Sequence, residues 1–347
     1  MSFSLVPKNF SQVVGSPVAP PVLLRPREDL ISGVPDGLLA VLSPVLAYWL
    51  YASIFHLIDV YELAEKYRIH PSEEEISRNK VTLRRVLYDV AFQHVLQTAT
   101  GMLALRVDET PTTGNELYQM WYLRQHYVPS FVPDSLLWWA YSYGWSLLRI
   151  VMCILFVDTW QYWLHRLMHE SKYLYRRFHS RHHRLYVPYS FGALYNDPVE
   201  GFFLDTFGTG LISFLLELTP REGMCLFVFA TMKTVDDHCG YKLPFDPFQL
   251  IFPNNALYHD IHHQSWGFRF NYSQPFFTFW DVMSDTQFKF VAEYQEKQRL
   301  ITLEKYKQFL ATRKTKKDIE TESTDAESPI LESPTAVSLA VESKKLL

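Results

Sequence analysis

The sequence has few of the residues that would mark a disulfide-rich or a nucleic-acid-binding protein. Its 347 residues include three cysteines, Cys153, Cys225 and Cys239, which lack metal-site spacing and cannot form an even set of disulfides. The formal net charge is −4 at pH 7, so no basic excess indicates a nucleic-acid partner. The N-terminus has no charged segment followed directly by an apolar one, and we expect no cleavable signal peptide. This cysteine usage favours a reducing environment or burial in a membrane over secretion.

Long apolar runs are the first positive feature of the sequence. Residues 38–58 form a run of 21 residues without a formal charge, and a membrane-spanning helix needs about 20. Residues 90–105 form a weaker run, and residues 135–157 contain a single charge. An apolar stretch over 202–232 is interrupted near its middle and predicts a hairpin of two short helices. The sequence thus predicts three spans and a hairpin that crosses or enters the membrane, with a buried soluble helix as the alternative for each run.

Basic residues are unevenly distributed between these runs. Residues 61–85 and 158–200 each contain six lysines and arginines, whereas residues 106–134 contain two. Because such residues concentrate on the cytosolic side, we expect the first two segments in the cytosol and the N-terminus in the lumen. The chain ends in Lys-Lys-Leu-Leu at 344–347, which resembles a dilysine retrieval signal. We therefore expect a multi-pass protein of the endoplasmic reticulum membrane with a cytosolic C-terminus.

Composition divides the chain into three parts. Residues 1–37 are rich in proline and valine and predict an irregular N-terminal segment. Residues 38–311 contain the apolar runs and predict one membrane-embedded catalytic domain. From residue 312 the composition changes to Lys, Thr, Glu, Ser and Pro, which cannot bury enough apolar surface to fold. We therefore predict a disordered C-terminal tail over 312–347.

Histidine is concentrated in one region of the chain. Nine of the 13 histidines lie between residues 165 and 263, in the segments HRLMH, HSRHH and HDIHH and in DDHCGY. On a helix, residues i, i+3 and i+4 project from one face, so each box presents two or three imidazoles in one direction. Neutral imidazole binds zinc, iron, copper or nickel, and nine such ligands are too many for one ion but suit two. The pattern therefore predicts a di-metal site.

Several aspartates lie near the histidine boxes in the sequence. Metal-bound imidazoles usually donate their second N–H to a carboxylate or carbonyl group. The carboxylates proposed for this role are Asp158, Asp197, Asp236, Asp237 and Asp260.

The histidines outside the boxes are predicted to have ordinary core, surface or interface roles, and they are His56, His70, His94 and His126. A non-catalytic metal transporter is the alternative from another class, but transporters bind their ions at the membrane midplane, whereas these boxes lie outside the predicted spans.

The order HxxxH, HxxHH, single His, HxxHH resembles the fatty acid hydroxylase superfamily, which includes sterol desaturases, sterol methyl oxidases and lipid hydroxylases. The longer segments FVDTWQYWLHRLMH, TMKTVDDHCGY and PNNALYHDIHHQSWGFRFNYSQPFFTFWD are similar to those of the sphingoid-base (sphinganine) C4-hydroxylases. The resemblance covers roughly residues 25–310. The metal ligands that it implies are His165, His169, His179, His182, His183, His238, His259, His262 and His263.

This resemblance implies an all-α integral membrane protein, with a transmembrane helix bundle and a cytosolic helical cap that carries a histidine-rich di-metal site. It implies two non-haem iron ions and O2-dependent hydroxylation at C4 of sphinganine or dihydroceramide, giving phytosphingosine or phytoceramide. Electrons would come from NADPH or NADH through a reductase and cytochrome b5. The sequence has no HPGG segment of a fused cytochrome b5, so we expect a separate donor protein.

The substrate depends on the segments that flank the histidine boxes. The boxes alone fit a sterol C4-methyl oxidase or C5-desaturase of the same superfamily equally well, because hydroxylation and desaturation share an oxidant. Only the flanking segments favour a sphingolipid. Aromatic residues near the boxes are candidates to line the lipid slot, with ordinary packing as the alternative, and they are Tyr186, Tyr189, Phe191, Tyr195 and Trp266.

Overall fold

The computed structural model describes residues 6–106 and 111–325 and is almost entirely helical, which confirms the predicted α class. The α-helices, numbered in chain order, are α1 (Phe10–Val14), α2 (Asp36–Val60), α3 (Ser72–Arg78), α4 (Leu83–Ala104), α5 (Glu116–His126), α6 (Asp134–Trp139), α7 (Trp145–Glu170), α8 (Lys172–Arg177), α9 (Pro198–Gly201), α10 (Gly208–Leu215), α11 (Pro220–Asp237), α12 (Pro247–Ile251), α13 (Ala256–His263), α14 (Phe279–Met283) and α15 (Val291–Asp325). The 3-10 helices are Glu65–Tyr67, His179–Arg184 and Ser190–Gly192, and the π-helical segments are Ala140–Gly144 and Phe202–Phe207. Among the described residues, the strands are β1 (Arg25–Pro26) and β2 (Thr112–Thr113), which pair antiparallel.

Two helical segments are long and apolar enough to cross a membrane. They are Asp36–Val60, which contains the predicted run 38–58, and Asp134–Glu170, which contains the predicted run 135–157. The second segment is helical throughout, because the π-helical turn of Ala140–Gly144 joins α6 to α7. Helix α7 therefore runs without a break from the apolar residues to the HRLMH box.

The other two apolar runs also form helices, but they are not among the two candidate membrane-spanning segments. The run 90–105 lies in α4, whose first turn carries Arg84 and Arg85 and whose middle carries Gln93 and His94. The stretch 202–232 forms the π-helical segment, α10 and most of α11, with the turn at 216–219 between the two α-helices. Two helices are thus present as predicted, but α11 has 18 residues and is longer than expected, and a hairpin that enters or crosses a membrane stays a prediction.

Helix α15 extends well past the boundary predicted at residue 312. It runs from Val291 to Asp325, so the first part of the predicted tail is helical in the structure. The segment contains no glycine or proline and is rich in glutamate and lysine, which are good helix formers. Residues 326–347 lie outside the described residues, and the rest of that tail stays a prediction.

The chain divides into two compact units, each assembled from three separate stretches. The first unit comprises Met1–Pro44, Thr98–Val157 and Phe207–Phe229, and the second comprises Val45–Gln97, Asp158–Thr206 and Ala230–Leu347. Helices α1, α5 and α6 of the first unit share a small apolar cluster of Phe10, Val14, Met120 and Leu137. All nine box histidines belong to the second unit.

The core of the second unit places the segment that follows the HSRHH box. The hydroxyl of Tyr48 in α2 donates a hydrogen bond to the carbonyl of Phe191 at 2.7 Å, and both residues are buried. Helix α9 approaches the Gln93 side chain of α4 closely at Gly201: a Cβ atom there would lie 2.4 Å from Nε2 of Gln93. The residue before this point of close approach is Glu200, which is buried.

Candidate metal centre

Four segments of the second unit carry the nine histidines. Helix α7 carries the HRLMH box near its C-terminal end, and α13 ends with the HDIHH box. His238 directly follows the last residue of α11. The HSRHH box lies in the 3-10 helix His179–Arg184, which is tighter than the α-helix assumed from the spacing. Its three imidazoles divide between two groups, and so do those of the α-helical HDIHH box.

The imidazoles form two clusters of converging nitrogen atoms. The five-histidine group contains His165, His169, His179, His183 and His262, and the four-histidine group contains His182, His238, His259 and His263. Within each group the ligating nitrogens lie within 4.8 Å of one another. Every one of the nine residues is at most 8% exposed. The fold therefore brings together all nine histidines that the sequence pattern singled out, as two groups.

Backbone carbonyl groups set the tautomer of most of these rings. The Nδ1 atoms of His165, His262 and His263 lie 2.7 Å from the carbonyl oxygens of Tyr272, Phe270 and Leu185, respectively. His238 makes the same contact with Thr234 at 2.8 Å, and His182 makes it with Tyr195 at 3.2 Å. A carbonyl oxygen only accepts, so each neutral ring must carry its proton on Nδ1. The Nε2 atoms are then left with a free lone pair.

The Nε2 atoms of the box histidines face one another at short distances. They are 3.0 Å apart in His165 and His179, and 3.4 Å apart in His182 and His238. The Nε2 atom of His262 is buried without a hydrogen-bond partner. Opposed lone pairs in a buried site are unfavourable unless a cation lies between them. The donor set therefore fits one metal ion in each group, and imidazole suits first-row transition metals.

The surroundings keep the imidazoles in the neutral form that binds metals. Burial lowers the pKa of His182 to about 4 and that of His238 to about 3, with repulsion from neighbouring rings adding to the effect. Burial followed by ring repulsion also holds the pKa well below its ordinary value at His179, His183, His259, His262 and His263. No proton has to leave these rings at neutral pH before a metal binds.

Among the residues that the structure describes, one carboxylate contacts a box histidine, and sequence reasoning missed it. Oε1 of Glu200 lies 2.5 Å from Nδ1 of His179, and Glu200 is 3% exposed. The residue sits on α9, whose start is set by Pro198 and by the Asp197 side chain, which accepts a hydrogen bond from the amide of Val199 at 3.0 Å. The segment NDPVEG therefore held a helix-start signal, but nothing in it indicated which direction Glu200 faces.

The five aspartates proposed for this role do not contact the box histidines: four have other partners, and both carboxyl oxygens of Asp236 are buried without one. Asp158 accepts hydrogen bonds from the backbone of Phe276 and Phe277, and Asp237 pairs with Lys233. In the described residues, no hydrogen bond joins a box histidine to any member of the set Asp158, Asp197, Asp236, Asp237 and Asp260. Carbonyl oxygens take that role for most rings, and they carry no side-chain signal in the sequence.

A small polar cavity of about 10 Å³ borders both histidine groups. His179 of the five-histidine group and His182 and His238 of the four-histidine group line it, together with Glu200 and Asp205. None of the five aromatic residues predicted to form the lipid slot lines this cavity in the described structure. Those buried in the core are Tyr189, Phe191 and Tyr195, whereas Tyr186 is partly buried and Trp266 is 47% exposed against Phe288 and Tyr294.

His70, outside the boxes, forms a buried ion-pair network on the outer side of α13. Its Nε2 lies 3.0 Å from Oδ1 of Asp260 and its Nδ1 lies 3.1 Å from Oε2 of Glu74. Tyr294 donates to Asp260 at 2.8 Å, and Arg78 donates to Glu74 at 2.8 Å. Asp260 lies between His259 and His262 of α13, so the network holds the third box in place.

We expect the stabilisation from His70 to depend on pH. Burial alone would lower its pKa, but Asp260 and Glu74 raise the pKa to about 9, which corresponds to about 3 kcal/mol relative to the ordinary 6.5. The contribution is complete below pH 6.5 and is lost as the pH rises through 9. Thermal unfolding of His70→Asn in detergent should therefore lie well below that of the unchanged protein at pH 6.5 and close to it at pH 10. An equal difference at both pH values would contradict this assignment.

The sequence matches known proteins along most of its length. Residues 150–286 match the fatty acid hydroxylase family. The chain is 56% identical over 299 residues to the sphingolipid C4-hydroxylase of Saccharomyces cerevisiae, which covers 86% of this chain and 85% of that protein. It is 40% identical over 264 residues to sphinganine C4-monooxygenase 1 of Arabidopsis thaliana, covering 76% and 92% of the two chains.

A third relative, from Oryza sativa subsp. indica, is named very-long-chain aldehyde decarbonylase. It is 41% identical over 254 residues, covering 73% of this chain and 89% of that protein. No solved structure matches the chain. Identity over 73–86% of the chain and the histidine boxes lead to one conclusion: the chain belongs to the sphingoid-base C4-hydroxylases of the fatty acid hydroxylase family and is an oxygenase.

Proposed function

We propose that this protein holds two iron ions in its histidine groups and uses O2 to hydroxylate C4 of a sphingoid base, giving phytosphingosine; dihydroceramide and phytoceramide are the corresponding N-acylated pair. The observation that carries the proposal is the convergence of nine buried imidazoles in two groups. The 56% identity to a sphingolipid C4-hydroxylase supports the substrate class and the position of attack.

The five-histidine group would hold one ion and the four-histidine group the other. Bound iron would supply O2 activation and the oxidation of an unactivated C–H bond, which no protein side chain can perform. The chain contributes the rest. Carbonyl groups such as that of Tyr272 keep the proton on Nδ1, Glu200 orients His179, and burial of all nine rings limits the access of water.

The reaction also needs two electrons and two protons for each molecule of O2, because one oxygen atom enters the substrate and the other leaves as water. We propose cytochrome b5 with its reductase as the source, driven by NADPH or NADH. Exposed basic residues beside the HSRHH box support an acidic donor protein. Lys80 and Arg184 are both exposed, and a backbone hydrogen bond of 2.8 Å holds them side by side. Arg177 is a third basic residue there: its side chain is 57% exposed and lies 3.5 Å from Asp197.

The proposal places the protein in the endoplasmic reticulum membrane, with the histidine boxes and the C-terminus in the cytosol. Two helical segments of sufficient length and apolarity support membrane insertion. The concentration of basic residues in 61–85 and 158–200 supports the orientation. A membrane location suits a lipid substrate, because the acyl chain can stay in the bilayer during the reaction.

Mass spectrometry of long-chain bases tests the proposed reaction directly. We expect phytosphingosine to appear when the protein is expressed, with cytochrome b5 and its reductase, in cells that lack their own C4-hydroxylase. Empty vector provides the control, and sterols and fatty aldehydes are measured in the same extracts. Well-expressed protein without phytosphingosine would refute the substrate, and a change in sterols or aldehydes would point to another member of the family.

A further inference from the structure

The polar cavity between the two histidine groups has a lining that the metal site does not require. Besides His179, His182 and His238, it is bordered by the side chains of Glu200 and Asp205. Further polar side chains in its wall are Gln161, Asn196, Thr234 and Gln274. Any group that enters this cavity meets both histidine groups at once, although a purely hydrocarbon substrate would have no use for so polar a wall.

Two carboxyl groups in this wall each have an oxygen without a partner. Oε1 of Glu200 binds His179, but its Oε2 is buried and has no hydrogen-bond donor. Oδ1 of Asp205 accepts a hydrogen bond from Nε2 of Gln161 at 3.1 Å, while its Oδ2 is buried without one. Leaving carboxyl oxygens buried and unpaired is costly, so the cavity is suited to a ligand that donates hydrogen bonds and carries positive charge.

The size of the cavity restricts that ligand to a small group. A volume of about 10 Å³ is close to the minimum that holds one water molecule, and an ammonium group has a similar size. A sphingoid base carries its amine on C2 and hydroxyl groups on C1 and C3, directly beside the carbon to be hydroxylated. An amine held by Glu200 and Asp205 would therefore lie on a carbon only two positions from C4, in a cavity that borders both histidine groups.

We propose that Glu200 and Asp205 form the binding site for the ammonium group of a free sphingoid base, with the unpaired Oδ2 of Asp205 as the principal acceptor. This inference rests on the proposed C4-hydroxylation and names the form of its substrate. A protonated amine gains a charge-assisted hydrogen bond from the carboxylate, whereas an N-acylated nitrogen is uncharged and offers a single donor.

The test compares two substrates that differ only at this nitrogen. Full-length protein in membranes, supplied with cytochrome b5 and its reductase, is assayed with sphinganine and with N-acetylsphinganine. We expect Asp205→Asn to lower kcat/KM for sphinganine by about 10- to 100-fold, mainly through KM, and that for N-acetylsphinganine by less than about threefold. Asp285→Asn is the matched control, because Asp285 is exposed and asparagine tolerates its positive φ of 52°.

An equal fall for both substrates, or no fall for either, would overturn the binding site. Bound iron per chain is measured for every variant, so that loss of folding is recognised. If Asp205→Asn does not fold, Gln161→Leu removes the amide that holds Oδ1 of Asp205 and should change the substrate preference in the same direction. Product formation by the unchanged protein separates the two proposals: its absence refutes the reaction, whereas its presence without discrimination in the variants refutes only the ammonium site.

Discussion

Replacing His182 by alanine should lower phytosphingosine formation by more than about 100-fold, because even residues that merely support a metal ligand contribute 10- to 100-fold. His182 is 3% exposed, and its ring centroid lies 4.6 Å from that of His263. The four-histidine group would lose one of its four ligands, while the five-histidine group would stay complete. Bound iron should therefore fall from about two ions towards one per chain.

The measurement combines iron analysis of the purified protein with the long-chain-base assay. His126→Ala is the control, since His126 is exposed, contacts the carbonyl of Tyr122 and belongs to neither group. This variant should keep both iron and product. A His182→Ala protein that retains two irons and full activity would show that the four-histidine group is not a catalytic metal site.

Replacing Glu200 by glutamine should lower metal affinity and product formation by about 10- to 100-fold. Glutamine has nearly the same shape but no charge, and its amide nitrogen competes with Oε1 for the position beside Nδ1 of His179. A donor at that position would favour the tautomer with its proton on Nε2, which cannot bind a metal. The effect should arise in the five-histidine group, unlike that of His182→Ala.

Iron titration of the metal-free protein checks this expectation, because it reports the weaker of the two sites. Glu73→Gln serves as the control, since the Glu73 side chain is 73% exposed and pairs with Lys305 on the surface. Unchanged iron affinity together with unchanged activity in Glu200→Gln would remove the carboxylate from the metal centre. Lower activity for sphinganine alone, with full iron content, would instead leave Glu200 only in the ammonium site.

Local patterns in the sequence were sufficient for the helices and for the set of histidines. The uncharged run 38–58 and the run 135–157 both form helices of membrane-spanning length. The i, i+3 and i+4 spacing singled out nine residues that the fold does bring together. The spacing did not predict how these histidines divide, because the HSRHH box in its 3-10 helix and the HDIHH box in α13 each contribute to both groups.

The sequence by itself determined the helical class, the family and the identity of the clustered imidazoles, because each of these depends on residues close together in the chain. The tertiary structure alone decided which histidines share a group, that Glu200 orients His179, and that the polar wall lies between the groups. These features depend on contacts over long separations, such as that between His165 and the carbonyl of Tyr272, 107 residues away. A backbone carbonyl is present at every residue, so only the folded chain selects the one that accepts the proton of a ligand.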